Sequence, residues 1–244
     1  MFRPIYEPRT RAREYSDLAI NIYHGCNHGC RYCYAKRMHD RYKPNEDFAD
    51  VRPREGIVEA VKNQLSSGRY KGKKIMLCFT CDPYPTDIDT TPTREVIKLI
   101  KDADANVSIL TKGGLRAERD FDLLDENDSF GVTYSGGRDG ELIIPSKDEP
   151  NAATPLERLA ILSRAHKLGI KTWMSCEPVL VENDIYNIIR LADYVDLFKI
   201  GKLNYFPSDI NWGDFGRECE RLCKSYGRNY YIKEDLRALM DDPQ

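Results

Sequence analysis

Three cysteines fall within eight residues, Cys26, Cys30 and Cys33, in the string YHGCNHGCRYCYA. The spacing is C-x3-C-x2-C. Closely spaced thiolates on one loop suit an iron–sulfur cluster, because several irons a few ångströms apart each need a soft anionic ligand. Three ligands wrap one corner of a cubane and leave a fourth iron open to a substrate or cofactor. A structural zinc site is the alternative. It needs a fourth ligand, which His24 or His28 would supply. Incidental thiols are the third reading.

The elements around the cysteines argue for a site. Near-continuous apolar runs at 18–25, 74–80, 107–112, 130–134, 170–176 and 195–201 read as parallel strands covered on both faces. Amphipathic segments lie between them. Residues 56–67 align Ile57, Val61 and Leu65, 92–103 align Val96, Ile97, Ile100 and Ala103, and 183–193 align Ile185, Ile188, Ile189 and Ala192. The segment 155–168 opens with Thr154, Pro155 and Glu157 as a capping box and stops at Gly169. Strand and helix alternate six times. The expected fold is α/β, a partial (β/α)6 TIM-type barrel with a parallel sheet and outer helices, and a doubly wound open sheet is the alternative. Both bind ligands at the carboxyl ends of the strands, where the cysteine triplet directly follows the first strand. The Gly- and Pro-containing stretch 136–153 is either a loop over the mouth or a surface excursion. We expect an N-terminal arm over 1–17, the barrel over 18–205 and a helical extension packed on it over 206–244.

C-x3-C-x2-C with an aromatic before the last cysteine resembles the signature of the radical S-adenosyl-L-methionine (SAM) superfamily. The longer string is similar to its spore photoproduct lyase-like branch. The likeness continues through FTCDPY, ILTKGGLRAERDFDLL, GVTY and MSCEPVL, covering about residues 18–201. It implies a [4Fe–4S] cluster on Cys26, Cys30 and Cys33 that reductively cleaves SAM to a radical able to take hydrogen from a substrate. It implies that Tyr32 and Tyr34, which flank Cys33, pack near the adenine or offer backbone groups to it, and that Thr80, Cys81 and Asp82 meet the methionine amino group. Many members carry Gly-Gly-Glu at that place, and this chain does not. Lys112 would pair with the SAM carboxylate. A lysine at a buried strand end is costly without an anion, which points the same way. Thr133 would bond the same carboxylate, with Ser135 as the alternative. Glu177 would contact the SAM ribose or the substrate, or else be a surface acid. Lys199 is a further contact if its side chain points inward.

Spore photoproduct lyase places a cysteine hydrogen donor near the end of its second strand. Here Phe79 aligns with it, flanked by Cys78 and Cys81. Cys81 is the substitute donor and, with Glu177 and Lys199, a candidate catalytic residue. Cys176 is another candidate mouth thiol. Cys219 and Cys223 lie on one apolar stripe with Phe215, Leu222 and Tyr226 and read as core packing, while His39 and His166 read as surface residues.

The composition sets limits on partners. Lys and Arg total 37 against 39 Asp and Glu, a net charge of −2, so nucleic-acid binding needs a local patch. Arg3, Arg9, Arg11 and Arg13, and the run Lys36–Lys43, are the candidates, with a solvated arm as the plain alternative. A nucleic-acid base or lesion is thus one substrate class. A peptide or small metabolite is another, and a non-enzymatic zinc scaffold a third reading. No apolar run approaches the ~20 residues of a membrane span, and no apolar leader precedes the first strand. A cytoplasmic monomer served by an electron donor such as flavodoxin or ferredoxin is expected, with its eight cysteines reduced.

Overall fold

The computed structural model describes residues 3–136, 142–144 and 146–241. Its centre is a seven-stranded parallel sheet. The strands are β1 (Ala19–Ile20), β4 (Lys74–Leu77), β5 (Asn106–Thr111), β6 (Ser129–Thr133), β7 (Lys171–Cys176), β8 (Leu197–Ile200) and β9 (Tyr230–Ile232), neighbours in that order. All six predicted strands form. The first is shorter than expected, because the chain leaves the sheet after Ile20. Tyr23–His24 (β2) then pairs antiparallel with Arg52–Pro53 (β3). The seventh strand, β9, comes from the C-terminal region that was expected to be helical only, and it pairs with β8.

Helices α2 (Ile57–Leu65), α3 (Thr91–Asp102), α4 (Pro155–Lys167) and α5 (Glu182–Leu191) follow the apolar stripes, as do α6 (Trp212–Ser225) and α7 (Glu234–Met240) near the C-terminus. The connection between β5 and β6 is a 3-10 helix, Gly114–Leu123. The capping box of α4 is present in both directions. Thr154 Oγ1 accepts from Glu157 N at 3.1 Å, and Glu157 Oε2 accepts from Thr154 N at 2.8 Å. These two bonds satisfy donors that a helix start otherwise leaves free.

Strand alternation divides the sheet into two faces. Ile75, Leu77, Val107, Ile109, Phe130, Val132, Met174, Phe198 and Ile200 face the helices and form the main core. The other face is sparser. Ala19, Met76 and Trp173 make a small second cluster, with Tyr6, Tyr15 and Phe79 packed on it. Gly131 lies opposite Trp173, and a Cβ there would stand 2.3 Å from the indole. The indole thus fills the room that a side chain would take, forming a floor with polar Thr133 and Ser175 one step nearer the carboxyl ends. Among the described residues no helix is long and apolar enough to cross a membrane.

Candidate active site

A cavity of about 510 Å³ opens at the carboxyl ends of the strands, within the size range of small-molecule sites. Cys26, Cys30 and Cys33 line it, each partly exposed. The loop that carries them depends on glycine. Gly25 has φ +73°, and a Cβ there would stand 2.4 Å from Phe48 O. This close approach lets Cys26 N donate to Phe48 O at 2.8 Å. Cys33 caps α1 (Tyr34–Tyr42), its Sγ accepting from Lys36 N at 3.4 Å. Burial pushes the Cys26 thiol well up, and the Asp82 carboxylate adds to the shift. Burial takes Cys30 to about 12, against the pull of the Lys112 ammonium.

The loop presents three thiols, and the two other thiols of the cavity, Cys78 and Cys81, come from the end of β4. Neither candidate histidine completes a zinc site. His24 does not line the cavity, and His28 is engaged elsewhere. Among the described residues no three His, Cys, Asp or Glu side chains converge tightly enough to hold one ion. Sulfurs on separate irons of a cube stand farther apart than ligands of a single zinc, so the spread trio fits the cluster better than the ion.

His28 is buried at 1% exposure. Its Nε2 lies 3.2 Å from Arg116 Nη2, and its Nδ1 lies 3.5 Å from Asp82 Oδ2. A guanidinium only donates, so Nε2 accepts and the ring is neutral with its proton on Nδ1, facing Asp82. Burial favours the same neutral form, and Arg116 adds to it. Asp82 also accepts from Thr111 Oγ1 at 2.6 Å, Tyr84 N at 2.8 Å and Lys112 N at 2.8 Å. Its oxygens are thus occupied by the protein's own donors. Asp82 lines the cavity but works as a hub tying the strand ends together.

Tyr32, Tyr34, Thr80, Cys81, Lys112, Thr133 and Glu177 also line the cavity. Ser135 does not. It sits behind Tyr32, with Oγ and the phenol oxygen 3.1 Å apart, and donates to Glu149 Oε1 at 3.2 Å. Lys112 Nζ lies 5.6 Å from the centre of the Tyr32 ring and 3.9 Å from Glu149 Oε1. The anion that its burial requires is therefore partly supplied by the protein. Glu149 itself is buried and pairs with Arg158 at 2.5 Å. Asp148, Glu149, Ala152 and Ala153 of the stretch 136–153 are buried beside the cysteine loop, where Asn151 N also donates to His28 O at 3.1 Å, while Ile143 and Ile144 are exposed. Residues 137–141 and 145 of that stretch lie outside the described residues.

Glu177 is the centre of the far wall. It accepts from Tyr15 OH at 2.8 Å, Lys233 Nζ at 2.5 Å and Asn204 Nδ2 at 3.1 Å. Burial and the neighbouring carboxylate push the Tyr15 phenol well up. Lys199 points to the same sheet face as Ser175. It does not reach the cavity wall. The N-terminal arm covers it, with Nζ donating to Glu14 O at 2.9 Å and Tyr15 O at 3.2 Å, and burial lowers its pKa to about 8. Cys176 is not a mouth thiol, because it faces the helices and is fully buried in the main core with Cys219 and Cys223. Tyr226 leaves the stripe of those cysteines and is 49% exposed. His166 is on the surface as expected, but the His39 side chain is only 14% exposed and packs on Phe48.

Tyr6, Tyr15, Asn204 and Lys233 are site residues that sequence reasoning missed. The β-formers Tyr230, Tyr231 and Ile232 ahead of Lys233 were the signal available for one of them. The rim is formed by Pro8–Ala12 of the arm and by Lys202–Tyr205 after β8. Tyr205 is 62% exposed, with the guanidinium carbons of Arg11 and Arg37 at 5.7 and 5.4 Å from its ring centre. A second cavity of about 880 Å³ reaches the same three cysteines, lined also by Lys36, Arg37 and Phe206.

The model of the Radical SAM superfamily matches residues 20–192. Uncharacterized protein ORF301 of Acidianus two-tailed virus is 30% identical over 192 residues, covering 73% of this chain and 61% of the relative. Uncharacterized protein MJ0683 of Methanocaldococcus jannaschii is 32% identical over 164 residues, covering 66% and 60%. The chain thus spans about three fifths of the length of these curated relatives. Among solved structures, a spore photoproduct lyase mutant with bound AdoMet and dinucleoside spore photoproduct superimposes with a TM-score of 0.66 at 13% identity, covering 93% of this chain and 78% of that one. Streptococcus suis SuiB bound to S-adenosylmethionine gives 0.64 at 11% identity, covering 93% and 52%. These likenesses show a shared fold, the partial barrel expected from the alternating elements.

Proposed function

The chain belongs to the radical SAM superfamily, and on that premise we propose that this radical SAM enzyme acts on a nucleic-acid base presented from a single strand. The family uses a [4Fe–4S] cluster and SAM. We assign the cluster to Cys26, Cys30 and Cys33, the trio that one loop presents to the cavity. Held there, the cluster would supply the electron that opens SAM to a species able to take hydrogen from the substrate.

The chain's own residues bind and orient. Lys112 and Thr133 offer a cation and a hydroxyl at the carboxyl ends of β5 and β6 for the SAM carboxylate. Tyr32, fixed by Ser135, and Tyr34, whose hydroxyl donates to Phe79 O at 2.5 Å, present ring faces to the adenine. Thr80 and Cys81 complete that wall beside the Asp82 hub. Glu177, held by three donors, stands opposite and takes hydroxyls of ribose or substrate. The arm and the 202–205 loop narrow the opening and keep water out of a space where a radical must survive.

The observation that carries the substrate class is the rim. Exposed Tyr205 has Arg37 and Arg11, the latter paired with Asp235, beside its ring, and shares with Arg9 and Lys202 the lining of a cavity walled by Tyr6, Tyr15, Tyr32 and Tyr34. Aromatic faces for bases and cations for phosphates are the two components of single-strand recognition. The solved lyase with a dinucleoside in place is consistent with this reading through its fold. A donor such as flavodoxin or ferredoxin would approach the cysteines from the second opening. The test is anisotropy of a fluorescent single-stranded oligonucleotide at increasing salt. Binding should weaken steeply between 50 and about 200 mM salt. Tyr205→Ala should cost about 1–3 kcal/mol, roughly 5- to 150-fold in Kd. No binding at low salt, or binding indifferent to Tyr205, would turn the reading toward a peptide or small metabolite.

A further inference from the structure

Cys78-Phe79-Thr80-Cys81 is a C-x-x-C at the end of β4, and both of its cysteines line the cavity. Cys78 is 5% exposed and Cys81 is partly exposed above it. The Cys81 side chain stands close enough to Cys78 to raise its pKa. The turn between them is fixed on two sides. Phe79 N and Thr80 N both donate to Asn21 Oδ1 at 2.8 Å, and Tyr34 OH donates to Phe79 O. Beyond Cys81 the chain is anchored by Asp82 through Thr111 and Lys112. Cys176, Cys219 and Cys223 differ in being fully buried among apolar side chains away from the cavity, as packing cysteines are.

A C-x-x-C holds two sulfurs within reach of a disulfide. Exchange catalysts of this spacing lower one thiol's pKa to make a thiolate nucleophile. The environment here works the other way, since burial pushes the Cys78 thiol up and the Cys81 thiol adds to it. Cys78 thus keeps its S–H bond, and an S–H bond is what a carbon radical can take hydrogen from.

Resting on the radical SAM reading above, we propose that Cys78 and Cys81 form a redox dithiol that quenches carbon radicals in the cavity and closes to a disulfide. Cys81, nearer the open space, meets the radical, and Cys78 beneath it is the resolving thiol. In each transfer one S–H bond breaks homolytically and one C–H bond forms. After two transfers the sulfurs pair their odd electrons as an S–S bond. Two hydrogens have left the dithiol and two carbon radicals have gained one each. A dithiol reductant of the thioredoxin class restores the pair by exchange. This differs from a single-thiol donor, which would be left as an unpaired sulfur radical.

The test needs no substrate. Iron- and sulfide-loaded protein is given SAM and a one-electron reductant in D2O, where thiols carry deuterium. The 5′-deoxyadenosine should contain one solvent deuterium. Its formation should halt at about two per chain until a small dithiol is added, as the dithiol stoichiometry requires. Meanwhile the tryptic peptide from Ile75 to Arg94 should lose both alkylatable thiols. Cys81→Ala should abolish the deuterium, and Cys78→Ala should halt formation at about one per chain. Iron content of the variants reports whether they fold. In wild-type protein without iron, diamide should lower the mass of the same peptide by about two units through its own disulfide. Unlabelled 5′-deoxyadenosine with both thiols free overturns the dithiol alone. Iron-loaded protein that makes no 5′-deoxyadenosine overturns the radical reading, and the dithiol with it.

Discussion

Lys233 Nζ stands 2.5 Å from Glu177 Oε2, and this pair ties the C-terminal strand β9 to the loop after β7. Lys233 is 4% exposed and Glu177 17%, so removing the cation leaves a largely buried carboxylate. Breaking a buried pair from one side is costly because the partner's charge stays behind. Tyr15 and Asn204 still donate to Glu177, which moderates the loss. Lys233→Met should destabilise the chain by about 2–3 kcal/mol in urea unfolding. Adding Glu177→Gln should return part of that loss, a coupling that a double-mutant cycle measures.

Cys26→Ala, Cys30→Ala and Cys33→Ala should each prevent stable cluster uptake. Anaerobic reconstitution followed by iron and sulfide analysis, with the charge-transfer absorbance as a second readout, checks this. Far-UV circular dichroism should stay unchanged, because the three side chains are partly exposed and contribute little to the core. Cys219→Ala should behave oppositely, binding iron normally while losing roughly 1–2 kcal/mol of stability from its fully buried site.

The strands and outer helices were legible because their periodicities are strong, as in Ile185, Ile188 and Ile189 on α5 or the run Ile75–Leu77 in β4. The cysteine trio and most of the mouth followed from their place after strands. What stayed hidden depends on contacts distant in sequence. Tyr15 lies 162 positions from the carboxylate it donates to, and no local pattern marks it. Lys199 was correctly placed on a strand, but the arm that covers it could not be read from spacing. Asp82 reads as a ligand until its donors are known, and two of the three, Thr111 and Lys112, come from a different strand end. Strand β9 is three residues long, too short for alternation to show.

Gly25→Ala should uncouple cluster binding from global stability. The residue sits at φ +73° and its new Cβ would lie 2.4 Å from the Phe48 carbonyl oxygen, which is backbone and cannot swing aside. A left-handed alanine costs about 1–2 kcal/mol, and the clash must be relieved by moving the loop. The loop carries Cys26 directly after the substitution. Iron uptake should therefore fall several-fold while the melting temperature drops only modestly, and a variant that binds iron like wild type would show that the close approach to Phe48 is dispensable.

Lys199 gives a pH signature. Burial under the arm lowers its pKa from 10.5 to about 8, and the Lys233 ammonium adds to the shift. An unfolded chain therefore binds more protons than the folded one between those two values. Stability attributable to Lys199 rises with pH across that window, because below pH 8 the folded state must carry a buried charge that the unfolded state solvates freely. Cysteines and tyrosines whose pKa values are raised on folding act in the opposite direction above pH 9, so the raw curve mixes both. Lys199→Met isolates the term. The difference in unfolding free energy, wild type minus variant, should climb from pH 8 toward 10.5. A flat difference would mean that the two backbone carbonyls of Glu14 and Tyr15 solvate the ammonium as well as water does.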